Sequence, residues 1–217
     1  MKRPKRLFKQ RARTGTSRVE PPPRPAPYDP DDPKFIAMHE AGHAVAAIVL
    51  GFDLKSVDIV GRQTPEVEIL GVAESGRVRI SEFAGKGEEV ALPHIIHSMA
   101  GFLAESKVNP HVKDREYDGH RMDVESANRV AFLSICEATT GADGLREITR
   151  EERMRNVDRV QAVFRRGVVA AAKLVETYLP AIEEVAALLL KRKRLTGAEV
   201  AAIVDRYRAA RIVPTVP

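Results

Sequence analysis

His39-Glu40-Ala41-Gly42-His43 constrains this 217-residue chain more than any other stretch, because H-E-x-x-H acquires a chemistry only on a helix. Residues four apart lie one turn apart on the same face, so both imidazoles can reach a single metal ion. The flanking sequence has the makings of that helix. Lys34 to Leu50 contains no proline, and Phe35, Met38, Val45, Ile48 and Val49 recur at helical spacing. Asp32 is the expected N-cap, Pro33 the first helical residue and Gly51 the stop. Burying two histidines and a glutamate among apolar neighbours is costly unless something compensates them, and a bound cation would. Gly42, in the helix interior, gives up about 1 kcal/mol relative to alanine, which points to another element packing closely on that turn. His39 and His43 are therefore the candidate metal ligands. Glu40 is the candidate general base, placed to take a proton from a metal-acidified water and return it to a leaving amine. The expected reaction is peptide hydrolysis with one Zn²⁺ per chain.

Charge and composition divide the chain in two. Residues 1–33 carry nine Lys/Arg and four acids, the whole of the net +5, while the remaining residues hold 26 of each sign. The same segment has seven prolines between 21 and 33, so it is expected to be a disordered basic leader. Such a leader either solubilises the protein or tethers it to nucleic acid, a membrane surface or an acidic partner; no aromatic interleaving supports base stacking. The single cysteine, Cys136, cannot close an intramolecular disulfide, and no secretory signal or membrane-spanning stretch is visible, which fits a cytoplasmic protein.

Beyond the motif helix, Leu54–Val60, Val67–Val72 and Arg77–Ile80 are short and suited to strands, which predicts a small antiparallel sheet able to hold an extended peptide on its edge. Ser81–Glu89 is expected to be a mobile loop, a candidate lid. A helix is expected from Val90, with Pro93 in its first turn and Ile95, Ile96, Met99, Phe102 and Leu103 on its apolar face. His94 and His97 lie on that helix, where core or surface histidines are commoner than ligands. Asn109–Gly119 reads as a polar loop. Asp123 is expected to open a helix through Ala127, Val130, Phe132, Leu133 and Cys136. Two apolar stripes, Val157–Tyr178 and Ile182–Leu190, are separated by Pro180 and suggest a helical hairpin. Thr196-Gly197-Ala198-Glu199 is a capping box for a final helix. The fold class is mainly α, an α+β domain with a small antiparallel sheet.

A catalytic zinc takes three protein ligands, and H-E-x-x-H supplies two. The extended H-E-x-x-H-x-x-G-x-x-H pattern is absent, so a carboxylate from a separate helix is needed. Asp123 is the candidate, although a carboxylate at a helix start also serves as a plain cap. The stretch from Lys34 to Leu50, Ala100-Gly101-Phe102-Leu103-Ala104-Glu105, and the G-x-x-x-D of Gly119 to Asp123 together resemble the peptidase domain of the FtsH family of zinc proteases. The resemblance implies a zincin-like helical peptidase domain over 34–210, followed by a tail at 211–217. It also implies zinc held by His39, His43 and Asp123, with Glu40 as base. Two segments depart from the family pattern. Ala-Gly-Phe-Leu-Ala-Glu stands where the family has Gly-Gly-Arg-Ala-Ala-Glu, and Tyr-Asp-Gly-His-Arg-Met-Asp stands where it has Thr-Gly-Ala-Ser-Asn-Asp, leaving His120 as the alternative third ligand.

FtsH proteases also carry a membrane anchor and an ATPase, and this chain has no G-x-x-x-x-G-K-[ST] phosphate loop. The substrates expected are unfolded or flexible polypeptides, unless a separate ATPase or an adaptor works with it; oligomer formation is left open. Two rivals stand beside this zinc endopeptidase: a regulatory metalloprotease that cleaves repressors, and a non-catalytic, metal-stabilised interaction module. Retention of Glu40 disfavours the module, since a structural site needs no base.

Overall fold

The computed structural model describes residues 32–63, 68–69, 72–75, 86–109, 118–135 and 149–212. Residues 1–31 of the 1–33 leader, the expected strand at 77–80, most of the candidate lid, Cys136 and residues 213–217 of the 211–217 tail lie outside these residues. The fold is mainly helical with a small antiparallel sheet, as its sequence implied.

Helix α1 (Pro33–Leu50) forms as its local signals dictate. The Asp32 side chain accepts from the Lys34 backbone N–H at 2.9 Å, Pro33 occupies the first turn, and Gly51 ends the helix at φ 79. Its last turn has no basic residue of its own, and Arg208 from the far end of the chain donates to the Val49 carbonyl instead. Residues Ala44 to Ala47 and Ala37 and Ala41 are all fully buried, so α1 runs through the middle of the molecule.

Strand β1 (Leu54–Asp58) is the centre of a three-stranded sheet, flanked by β4 (Val72–Ser75) and β5 (Arg194–Thr196), both antiparallel to it. The single strand expected over 67–72 is instead two: β3 (Glu68–Ile69) pairs with β2 (Arg62–Gln63) as a separate two-stranded ribbon, and β4 returns to β1. β5 is contributed by the C-terminal part of the chain, with Val57 opposite Leu195 and both side chains buried.

Helix α2 (Glu88–Glu105) begins two residues before the expected Val90, so Pro93 falls in its second turn. Glu88 and Glu89 in the first turn favour the earlier start by matching the positive end of the helix dipole. Helix α3 (Asp118–Ile135) likewise begins five residues before Asp123, which is therefore an interior residue and not a cap. Helix α4 (Arg150–Arg192) is not a hairpin. The chain bends at Tyr178 (φ −110, ψ 15), two residues before Pro180, and continues onward. Proline removes one helical N–H and crowds the preceding turn, and the helix accommodates this as a kink. Helix α5 (Gly197–Ile212) opens with the anticipated capping box: Glu199 accepts from the Thr196 N–H at 2.8 Å, and Thr196 Oγ1 accepts from the Glu199 N–H at 3.3 Å.

Two apolar clusters result. One joins α1 to the second half of α4, to α5 and to β1 and β5, through Val45, Ile182, Leu189, Leu195 and Val204. The other joins α2 and α3 to the first half of α4, through Ile95, Met99, Ala127, Ala131 and Val163. α2 lies between them, and where it crosses α1 and meets α3 the motif residues come together.

Candidate metal centre

The crossing of α1 and α2 is unusually close because of Gly42. A Cβ at that position would lie 2.5 Å from the Ala100 carbonyl oxygen and 2.7 Å from the Ala104 Cβ, so only hydrogen fits there. This close approach presses the face of α1 that bears His39 and His43 against α2, while the second turn of α3 brings in Asp123.

Three atoms then form a nearly equilateral triangle. His39 Nε2 is 3.1 Å from His43 Nε2, His39 Nε2 is 3.1 Å from Asp123 Oδ2, and His43 Nε2 is 3.2 Å from the same oxygen. A tetrahedral site with bonds of about 2.0–2.1 Å has edges of roughly 3.3 Å, so these donors are spaced for a single small cation with little adjustment. His39, His43 and Asp123 are a group that could hold a metal ion. The remaining ring nitrogens are also committed. His43 Nδ1 lies 2.8 Å from the backbone carbonyl oxygen of His97, which can only accept, so Nδ1 carries the proton. His39 Nδ1 lies 3.3 Å from Glu105 Oε2, and the other oxygen of that buried carboxylate accepts from Asn109 Nδ2 at 2.7 Å. Both rings thus have Nδ1–H donating outward and Nε2 directed to the triangle, the arrangement in which histidine serves a metal best.

Without a metal, protons take over the balancing of charge. Burial works against a charged His39, but the hydrogen bonds to Asp123 and Glu105 outweigh it and lift its pKa to about 10. His43 is also raised: burial opposes its charge, and Asp123 more than compensates. The same contacts hold Asp123 well below the usual carboxylate range against the opposing effect of burial. A dication would replace those protons, since ligating histidines must be neutral. Glu40 is buried next to the ligands, and burial pushes its carboxyl up, partly offset by His39 and His43. It accepts no hydrogen bond among the described residues, so its proton-accepting capacity is free for a bound molecule.

All four candidates from the sequence, His39, Glu40, His43 and Asp123, converge on this point. The side chain of His120, the alternative ligand, lies outside what the structure describes. His94 and His97 join no group of three metal-binding side chains among the described residues; Phe52 stacks on His94 with ring centroids 4.7 Å apart and meets His97 edge-on at 5.6 Å. His97 is held down to about 3 by burial with His43 beside it, and its Nε2 has no hydrogen-bond partner among the described residues. Sequence reasoning missed the roles of Glu105, Asn109 and the His97 carbonyl. Glu105, a carboxylate closing the apolar run Met99 to Ala104, was the available signal, with Asn109 four residues on and beyond the helix end; a backbone carbonyl leaves none. No protein-family model matches the chain, and no curated protein matches it.

Proposed function

We propose that this protein is a zinc-dependent endopeptidase acting on unfolded or flexible polypeptides, with His39, His43 and Asp123 as ligands and Glu40 as the general base. The observation that carries this reading is the triangle of donor atoms at 3.1–3.2 Å with an uncommitted, buried carboxylate one residue from the first ligand. The resemblance of the α1 motif and of Gly119 to Asp123 to the FtsH peptidase domain supports the same assignment.

When bound, zinc would supply Lewis acidity that acidifies a water and polarises a carbonyl oxygen. The other contributions come from the chain. Glu40, buried beside the ligands and accepting no hydrogen bond among the described residues, takes a proton from the attacking water and returns it to the leaving amine. Glu105 and the His97 carbonyl hold the two rings in the tautomer that leaves Nε2 available. The sheet β4-β1-β5 offers backbone groups along an edge, a means of holding an extended chain without regard to sequence. Three ligands to a metal that prefers four leave one position for water, which distinguishes this donor set from a structural zinc site.

Elemental analysis of the purified chain, together with cleavage of casein and a peptide library, tests the proposal. Glu40→Gln is expected to retain about one zinc and to lose at least ~100-fold in cleavage rate. His39→Ala is expected to lose both. Full activity in Glu40→Gln, or a purified protein without metal affinity, would overturn the assignment.

A further inference from the structure

His43 is oriented from α2, and the contact is made to backbone. Its Nδ1–H donates to the His97 carbonyl oxygen at 2.8 Å, an oxygen inside a helix where the N–H of residue 101 already points. A helical side chain leans toward the N-terminus and covers the turn before its own Cα. The residue whose side chain would cover that turn is therefore residue 101, and it is glycine. A Cβ built there falls onto the metal-facing edge of the His43 ring: it overlaps Nε2 most closely and lies 2.6 Å from Cδ2 and 2.8 Å from Cε1. α1 is seated on Ala100 and Ala104 through Gly42, so the clash falls on the ring itself.

We propose that Gly101 is a positioning residue of the metal centre: having no side chain, it leaves room for the Nε2 edge of the His43 ring, so that His43 can keep its Nδ1–H on the His97 carbonyl while Nε2 faces His39 and Asp123. It deepens the metal reading above and stands on it. A side chain at residue 101 displaces the imidazole from both the carbonyl and the ligand triangle, whereas a structural glycine elsewhere on the α2 interface affects packing alone. Gly167 provides that comparison. A Cβ there would lie 2.8 Å from the Ile95 Cβ, crowding α2 from α4 without touching a histidine.

The test measures zinc affinity of the full chain by chelator competition, and cobalt absorption as a report of ligand geometry, in the parent, Gly101→Ala and Gly167→Ala. Gly101→Ala is expected to bind at least ~10-fold more weakly with an altered cobalt spectrum, and Gly167→Ala to stay within about threefold of the parent. Parental affinity in Gly101→Ala, or an equal loss in both variants, would overturn the assignment of Gly101 alone. Should Gly101→Ala not fold, nitrogen-15 NMR of histidine side chains in the zinc-loaded parent decides. His43 is expected to be metallated through Nε2 with a protected Nδ1–H, and metallation through Nδ1 would refute the proposal. A parent chain that binds no metal removes the proposed function and this role together.

Discussion

At the scale of the residue, the site depends on three carboxylates kept in different states. Asp123 is held ionised by two imidazoles, Glu105 accepts from His39 and Asn109, and Glu40 is pushed upward by burial. Glu105→Gln, which keeps the shape and removes the charge behind His39, is expected to weaken zinc binding by ~10- to 100-fold while leaving the fold intact; titration with a competing chelator measures it. The protons have a stability consequence. His39, raised from 6.5 to about 10, stabilises the metal-free fold fully below pH 6.5, and that contribution is lost as pH rises through about 10. Glu40, also raised, acts in the same sense from about 4.5 upward, whereas the depressed Asp123 stabilises above about 3.8 and fails on acidification. The Tm of the metal-free protein should therefore fall between pH 6.5 and 10. With zinc bound, the proton on His39 is already displaced, and the fall should be much smaller. Calorimetry of both forms across this range checks the pair, and parallel curves would show that His39 is not the titrating group.

At the scale of the element, legibility followed locality. α1 was readable to its ends because Asp32, Pro33 and Gly51 act within a turn of the helix they delimit, and the capping box of Thr196 and Glu199 is equally local. β5 was not readable. It is three residues long, and its ladder joins Arg194–Thr196 to Ser56–Asp58 across most of the chain, so no window of sequence contains both partners. The start of α3 is hidden for a related reason: residues 118–122 carry no apolar stripe, so nothing local marks the first turn and Asp123, in the second, resembles a cap. His39, Glu40 and His43 were legible from spacing, and Asp123 from the family resemblance. The partners of the rings were not, because they depend on how α2 crosses α1. Gly42 signals a close contact from its place inside a helix, but its partners, Ala100 and Ala104, are set by the crossing of α2 over α1. Gly42→Ala sets a gain of about 1 kcal/mol in helix propensity against overlap with a backbone oxygen at 2.5 Å. Overlap with backbone cannot be relieved by a rotamer change, so a net destabilisation of ~1–3 kcal/mol is expected in urea unfolding. A stabilised variant would mean that the helices separate readily.

At the scale of the whole molecule, the residues that build the proposed centre are drawn from α1, α2 and α3, while α4 and α5 supply the frame that holds them. α4 runs past both apolar clusters, passing from the second to the first at Leu174 and Val175, just before its kink at Tyr178. α5 and β5 close the sheet and, through Arg208, the end of α1. No helix among the described residues is long and apolar enough to cross a membrane. The net charge of +5 resides entirely in residues 1–33, none of which contributes to the triangle of ligands. A chain beginning at Asp32 should accordingly keep its Tm, its zinc content and its rate on short peptides. The cut must spare Asp32. Its carboxylate caps α1 only seven residues before His39, and losing such a cap costs about 1 kcal/mol at the end of the helix that carries both histidines. Removing residues 1–31 and removing residues 1–32 are thus expected to differ: the first leaves thermal stability unchanged, and the second lowers Tm by a few degrees. If the longer chain is instead the one that loses zinc or aggregates, the leader belongs to the folded body, and the domain begins before α1.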